Sequence, residues 1–175
     1  MIELVEELAA ARIGTTFNFY ARGERAPLLR DRLARYLDDR REAPFLVVGE
    51  AAGYRGARVS GLAFTSERQL TGAGPAEASA TVVQRTLREL GASERVLLWN
   101  LVPTHPHRPR RAASNRAPTR AEIEAARPFL ERLAVGRRVV PVGRLAHAAL
   151  GGTYVRHPSH GGAPRFRAGL AEALA

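Results

Sequence analysis

"FLVVGEAAG", residues 45–53, sets an unbroken apolar run against a glycine-rich turn. Phe45 to Gly49 is too short for a stable helix and lacks the polar alternation of a half-exposed strand. It reads as a strand buried on both faces, the kind found in parallel sheets. Two similar runs follow, "RVLLWN" at Arg95–Asn100 and "RVVPVG" at Arg138–Gly143, with a weaker one, "TYVR", at Thr153–Arg156. Helical spacing of apolar residues occupies the intervals, at about Glu24–Arg40, Pro75–Leu90, Thr119–Leu133, Arg144–Leu150 and Pro164–Leu174. Thr119 followed by Glu122 has the spacing of a capping box, which starts a helix. Strands alternating with helices predict an α/β fold, a three-layer α/β/α sandwich with a central four-stranded parallel sheet. At 175 residues the chain is expected to form a single domain over residues 1–175.

Composition narrows the chemistry. The chain has no cysteine, which excludes disulfides, thiolate zinc sites and cysteine-ligated iron–sulfur clusters. No stretch approaches the ~20 apolar residues of a membrane span. The acidic start, with Glu3, Glu6 and Glu7, is unlike a secretory leader, so a cytoplasmic location with no membrane partner is expected. The net charge of +10 points to a polyanion as partner. All 27 basic residues are arginine. They are unevenly placed: no acid interrupts the stretch between Glu94 and Glu122, nor that between Glu131 and Glu172.

In sheets of this type ligands bind beyond the carboxyl ends of the strands. The unusual residues collect there, in "GEAAGYRGARVSGLAFTSE" (49–67), "NLVPTHPHRPRRAASNR" (100–116) and "HPSHGG" (157–162). Gly49, Gly53 and Gly56 would let backbone amides approach a phosphate. Asn100 ends an apolar strand, where an unsatisfied amide is costly, and it offers one donor and one acceptor side by side. That pair complements the O4 acceptor and N3–H donor of uracil. Phe64 is either a hydrophobic anchor or a platform for stacking a base. His105, His107, His157 and His160 admit another reading, a metal-dependent phosphoesterase, and charge alone fits a non-catalytic nucleic-acid-binding module.

The ordered set of motifs resembles the uracil-DNA glycosylase superfamily. "GEAAG" (49–53) is similar to the first motif of the fourth family, GEAPG, with Ala52 in place of proline. "GARVSGLAFTSE" (56–67) resembles the stretch that follows this motif in the fifth family and ends in Phe-Thr-Gly-Asp. "NLVPTHPH", continuing to "SNRAPT", resembles the fourth-family segment that begins with the uracil-binding Asn, and "HPS" (157–159) matches the second motif of the superfamily. Both families carry four cysteines around an iron–sulfur cluster, so this chain resembles a cluster-free relative in which packing, as by "FNFY" (17–20), takes over that role.

The resemblance implies a monofunctional uracil-DNA glycosylase of base excision repair that needs no cofactor or metal. Its partner would be uracil-containing DNA, single- or double-stranded, bound by a monomer. It implies a uracil pocket formed by Asn100, Phe64, Gly49, Ala51 and Gly53. His157 would stabilise the departing base, and Ser159, His160, Gly161, Arg116 and Arg165 would contact DNA. The first-family aspartate aligns with Ala51, which leaves either Glu50 or Glu67 to handle the water.

The missing lysine yields a test. A glycosylase that also nicks DNA commonly forms a Schiff base through a lysine amine, and arginine stays protonated and cannot replace it. Incubation with uracil DNA and borohydride should therefore trap no covalent adduct, and strands should break only after alkali.

Overall fold

A computed structural model describes all 175 residues. In chain order the elements are α1 (Ile2–Ala10), α2 (Ala26–Asp39), β1 (Phe45–Ala51), α3 (Ala57–Ser60), α4 (Glu67–Thr71), α5 (Ala78–Glu89), β2 (Val96–Val102), α6 (Arg120–Ala134), β3 (Arg138–Pro141), α7 (Arg144–Leu150) and α8 (Ala163–Ala173). The strands form one parallel sheet in the order β2-β1-β3, with β1 in the centre. Alternation along the strands divides the core. Leu46, Val48, Leu97, Trp99 and Leu101 pack with residues of α1, α2, α6 and α7. Phe45, Val47, Val96, Leu98 and Val140 pack with α5 and α8 on the opposite face. The α/β class and the layering agree with the sequence reading.

The strand count does not. The segment expected as a fourth strand, Thr153–Arg156, makes a single parallel bridge between Val155 and Val142. Two backbone bonds hold it, Gly143 N–H to the Val155 carbonyl at 2.8 Å and Val155 N–H to the Pro141 carbonyl at 3.2 Å. The pairing stops there for local reasons. Pro141 has no N–H to donate, Gly151 and Gly152 turn the chain with positive φ, and Pro158 lies just beyond. The sheet is therefore three-stranded with one bridge at the fourth position.

The segments outside the sheet are fastened by specific polar contacts. "FNFY" docks the N-terminal region: Phe19 and Tyr20 are buried, and the Tyr20 hydroxyl donates to the Gly61 carbonyl at 2.7 Å. Asn18 Nδ2 donates to the Leu8 and Ala11 carbonyls at the end of α1. Phe17 exchanges backbone bonds with His105 in the loop after β2. The expected capping box is formed, with Thr119 and Glu122 satisfying each other's backbone N–H groups at the start of α6.

Glu122 does more than cap. Its buried carboxylate also accepts both terminal nitrogens of Arg116, at 2.7 and 2.6 Å, and the Thr15 N–H at 3.3 Å. It lies against Gly14, where a Cβ would collide with it and φ is +54°. Arg116, chiefly, with the backbone donors, holds the carboxyl at about 2, below its ordinary 4.5. That gap corresponds to about 3 kcal/mol of folding stability, present above pH ~4.5 and lost as pH falls toward 2. Urea melts between pH 7 and 2.5 should show this loss. Glu122→Gln, which leaves Arg116 without its partner, should cost about 3–5 kcal/mol at neutral pH and flatten the acid dependence.

Candidate active site

The carboxyl ends of β1 and β2 place the first group of side chains. Gly49 pairs with Asn100 in the parallel register. A Cβ on Gly49 would overlap the Phe64 ring and lie 2.8 Å from Asn100 Oδ1, so only glycine lets the ring and the amide converge there. Asn100 is 5% exposed, and no protein group bonds its side-chain amide, which faces a cavity. Phe64 holds a left-handed backbone, φ +49°, which costs a non-glycine residue about 1–2 kcal/mol. Its surroundings impose that conformation: Gln84 Nε2 donates to the Phe64 carbonyl at 3.2 Å, and Ser60 Oγ donates to the Thr65 carbonyl at 2.7 Å.

His157 faces Phe64 across the cavity, with ring centroids 6.4 Å apart. The Ser159 N–H donates to His157 Nδ1 at 3.2 Å, and Ser159 Oγ lies 2.8 Å from the same nitrogen. Nδ1 is thus an acceptor, which puts the proton of a neutral ring on Nε2. Burial, then the charges of Arg156 and His160, push the pKa of His157 down, and the ring is neutral at pH 7. The turn that holds it needs Gly162, where a Cβ would strike the His157 carbonyl.

Glu50, Ala51, Gly53, Phe64, Asn100 and His157 line a cavity of about 60 Å³, together with Ala57, Glu77 and Ser79. It adjoins a cleft of about 740 Å³ that also reaches Asn115, Arg116, Arg144, Arg156, Ser159 and His160. Four of the five residues expected to bind uracil, Asn100, Phe64, Ala51 and Gly53, therefore meet at one cavity with His157 and Glu50 beside them, and Gly49 lies against the Phe64 ring and the Asn100 amide. Burial raises the pKa of Glu50, which has no ion-pair partner.

Four expected residues are placed differently. Glu67 lines neither cavity; its carboxylate is clamped by Arg32 at 2.8 Å and Arg25 at 2.7 Å, and those arginines hold its pKa down. Arg116 reaches the large cleft, but its guanidinium is engaged by Glu122 and by the His107 carbonyl at 3.0 Å. Arg165 is exposed on α8 and Gly161 sits in an exposed turn, both outside the cavity walls.

The paired histidines of the 100–116 loop serve the backbone. His105 is buried and its Nδ1–H donates to the Ala52 carbonyl at 2.8 Å, supporting the glycine-rich turn. His107 Nδ1–H donates to the Arg108 carbonyl at 3.0 Å. No three histidine, aspartate or glutamate side chains converge as a metal-ligand set. Glu77, which the sequence reading passed over, lines both cavities, and the only local sign of it was a lone acid near the start of the Pro75–Leu90 helical pattern.

Comparison with curated proteins finds no match. Among solved structures, wild-type SMUG2 from Pedobacter heparinus shares the fold, with a TM-score of 0.66 over 99% of this chain and 96% of that one, at 13% identity. The family model of the uracil DNA glycosylase superfamily matches residues 36–170, a span running from the end of α2 through all three cavity-forming loops. On that match the chain belongs to the uracil DNA glycosylase superfamily.

Proposed function

We propose that the protein is a monofunctional DNA glycosylase that hydrolyses the N-glycosidic bond of uracil in DNA and leaves an abasic site. The observation that carries this reading is the unpaired Asn100 amide, buried at a cavity whose other walls are the Phe64 ring and His157. An amide with no protein partner in a largely dry setting favours a ligand presenting the matching acceptor and donor. Uracil O4 and N3–H do so, whereas cytosine presents the reverse pattern. The nucleotide must leave the base stack to reach such a cavity.

In this reading Phe64 stacks on the extruded base. As the C1′–N1 bond breaks, its electron pair leaves with uracil and negative charge grows on O2. The Nε2–H of neutral His157 donates to that oxygen, a contact stronger in the transition state than in the ground state. Glu50, whose pKa is raised by burial alone, accepts a proton from the water that attacks C1′. Ser159, His160, Gly161, Arg144 and Arg156 meet the phosphates beside the flipped nucleotide, with Arg165 further out on α8. The reaction draws on no metal or cofactor, and the repair takes place in the cytoplasm with the enzyme as a monomer.

The decisive assay incubates the protein with labelled single-stranded, U:A and U:G oligonucleotides in the presence of chelator, followed by alkali. Uracil release is expected, and intact substrates at stoichiometric enzyme would refute the proposal. Asn100→Asp should lose most uracil activity, since an ionised carboxylate cannot donate to O4. His157→Asn should slow base release on the order of 100-fold or more while DNA affinity changes little. Loss of affinity alone would reassign His157 to DNA positioning.

A further inference from the structure

Glu77 lines both the small cavity and the cleft, yet none of the family motifs contains it. Its carboxylate rests on the glycine-rich turn. A Cβ at Gly53 or at Gly56 would overlap its oxygens, so those two glycines leave room for this side chain. The turn that reads as a phosphate cradle is occupied by a carboxylate of the same chain. Its position is fixed from the other end as well, because the Glu77 N–H donates to Ser66 Oγ at 2.9 Å at the start of α5.

No arginine pairs with Glu77 in a protein of net charge +10, and no hydrogen bond satisfies its carboxylate. In Glu50 and Glu77 burial acts unopposed and leaves the pKa raised, and both border the cavity. A half-buried, unpaired carboxylate is costly to keep, and stability does not account for it. Hydrolysis of an N-glycoside does offer an account, because the deoxyribose acquires oxocarbenium-like positive charge as the base departs.

We propose that Glu77 is the second carboxylate of the active site, held on the Gly53–Gly56 turn so that its fixed negative charge faces the cationic sugar of the transition state. This rests on the uracil-excision reading and divides the work between the two acids. Glu50 takes the proton of the attacking water, whose oxygen bonds to C1′ while the C1′–N1 pair leaves with the base. Glu77 forms no bond and transfers no proton. Its charge opposes the DNA phosphates in the ground state and assists only when the sugar becomes positive, so its contribution should appear in the rate and not in affinity.

The test measures single-turnover uracil release and separate DNA dissociation constants for the wild type, Glu77→Gln, Gly53→Ala and the double variant. Glutamine preserves the shape and removes the charge. It should slow release about 10- to 100-fold, leaving the dissociation constant equal or lower. Gly53→Ala keeps the carboxylate but forces it off the turn, and should cause a comparable loss that adds little to that of Glu77→Gln. A wild-type release rate in Glu77→Gln, or in Gly53→Ala should the glutamine variant not fold, overturns the assignment, as does a loss confined to affinity. Absence of uracil release by the wild type would instead strike the proposed function itself.

Discussion

The fixed position of the 103–118 loop depends on one buried carboxylate. That loop contains four prolines and contributes no strand or helix, so backbone pairing within an element does not hold it. Glu122 supplies the missing anchor by receiving Arg116 from the loop, Thr15 from the N-terminal region and Thr119 from its own helix start. The Phe17–His105 bridge and the His105–Ala52 bond carry the same constraint onward to the turn beneath the cavity. The chain thus ties remote segments through an ion pair, a buried histidine and the aromatic "FNFY" segment.

Arginine takes up much of this fastening, which changes the meaning of the charge. Arg137 donates to the Ala43 and Leu133 carbonyls, Arg138 to that of Ala173, and Arg95 to that of Leu174. Arg95 and Arg138 also sit over the Phe45 ring, 5.2 and 4.7 Å from its centroid. A forked, planar cation reaches such carbonyls in a fixed geometry, as an ammonium on a flexible stem does not. Part of the positive field is therefore structural, and the cations left at the cleft are a smaller set: Arg144 makes no such bond, and Arg156 donates to the adjacent His157 carbonyl at 3.1 Å.

The strands, the helices and the location of the site were legible because each rests on local signals: apolar runs, helical spacing, the Thr119–Glu122 box and loops at strand ends. The meeting of Asn100, Phe64 and His157 at one cavity was legible through motif order. What escaped depends on partners distant in sequence. Nothing near Glu67 announces that Arg25 and Arg32 will claim its carboxylate, and nothing near Glu77 announces that Gly53 and Gly56 will seat it. Arg116 looked free for DNA until the fold set Glu122 beside it. The fourth strand failed for the opposite reason, since the local breakers Pro141, Gly151, Gly152 and Pro158 outweighed a short apolar pattern.

Trp99, the one tryptophan of the chain, lies next to Asn100 in β2 but points to the other side of the sheet. It packs with Leu97 and Leu101 beneath α1, α2 and α6 and is 2% exposed. Its indole is thus an optical reporter of the core, emitting toward the blue while the sheet is intact and turning red on unfolding. Asn100, which lines the cavity, stands on the opposite face of the strand. Fluorescence can therefore separate loss of structure from loss of chemistry in one sample, without an attached dye.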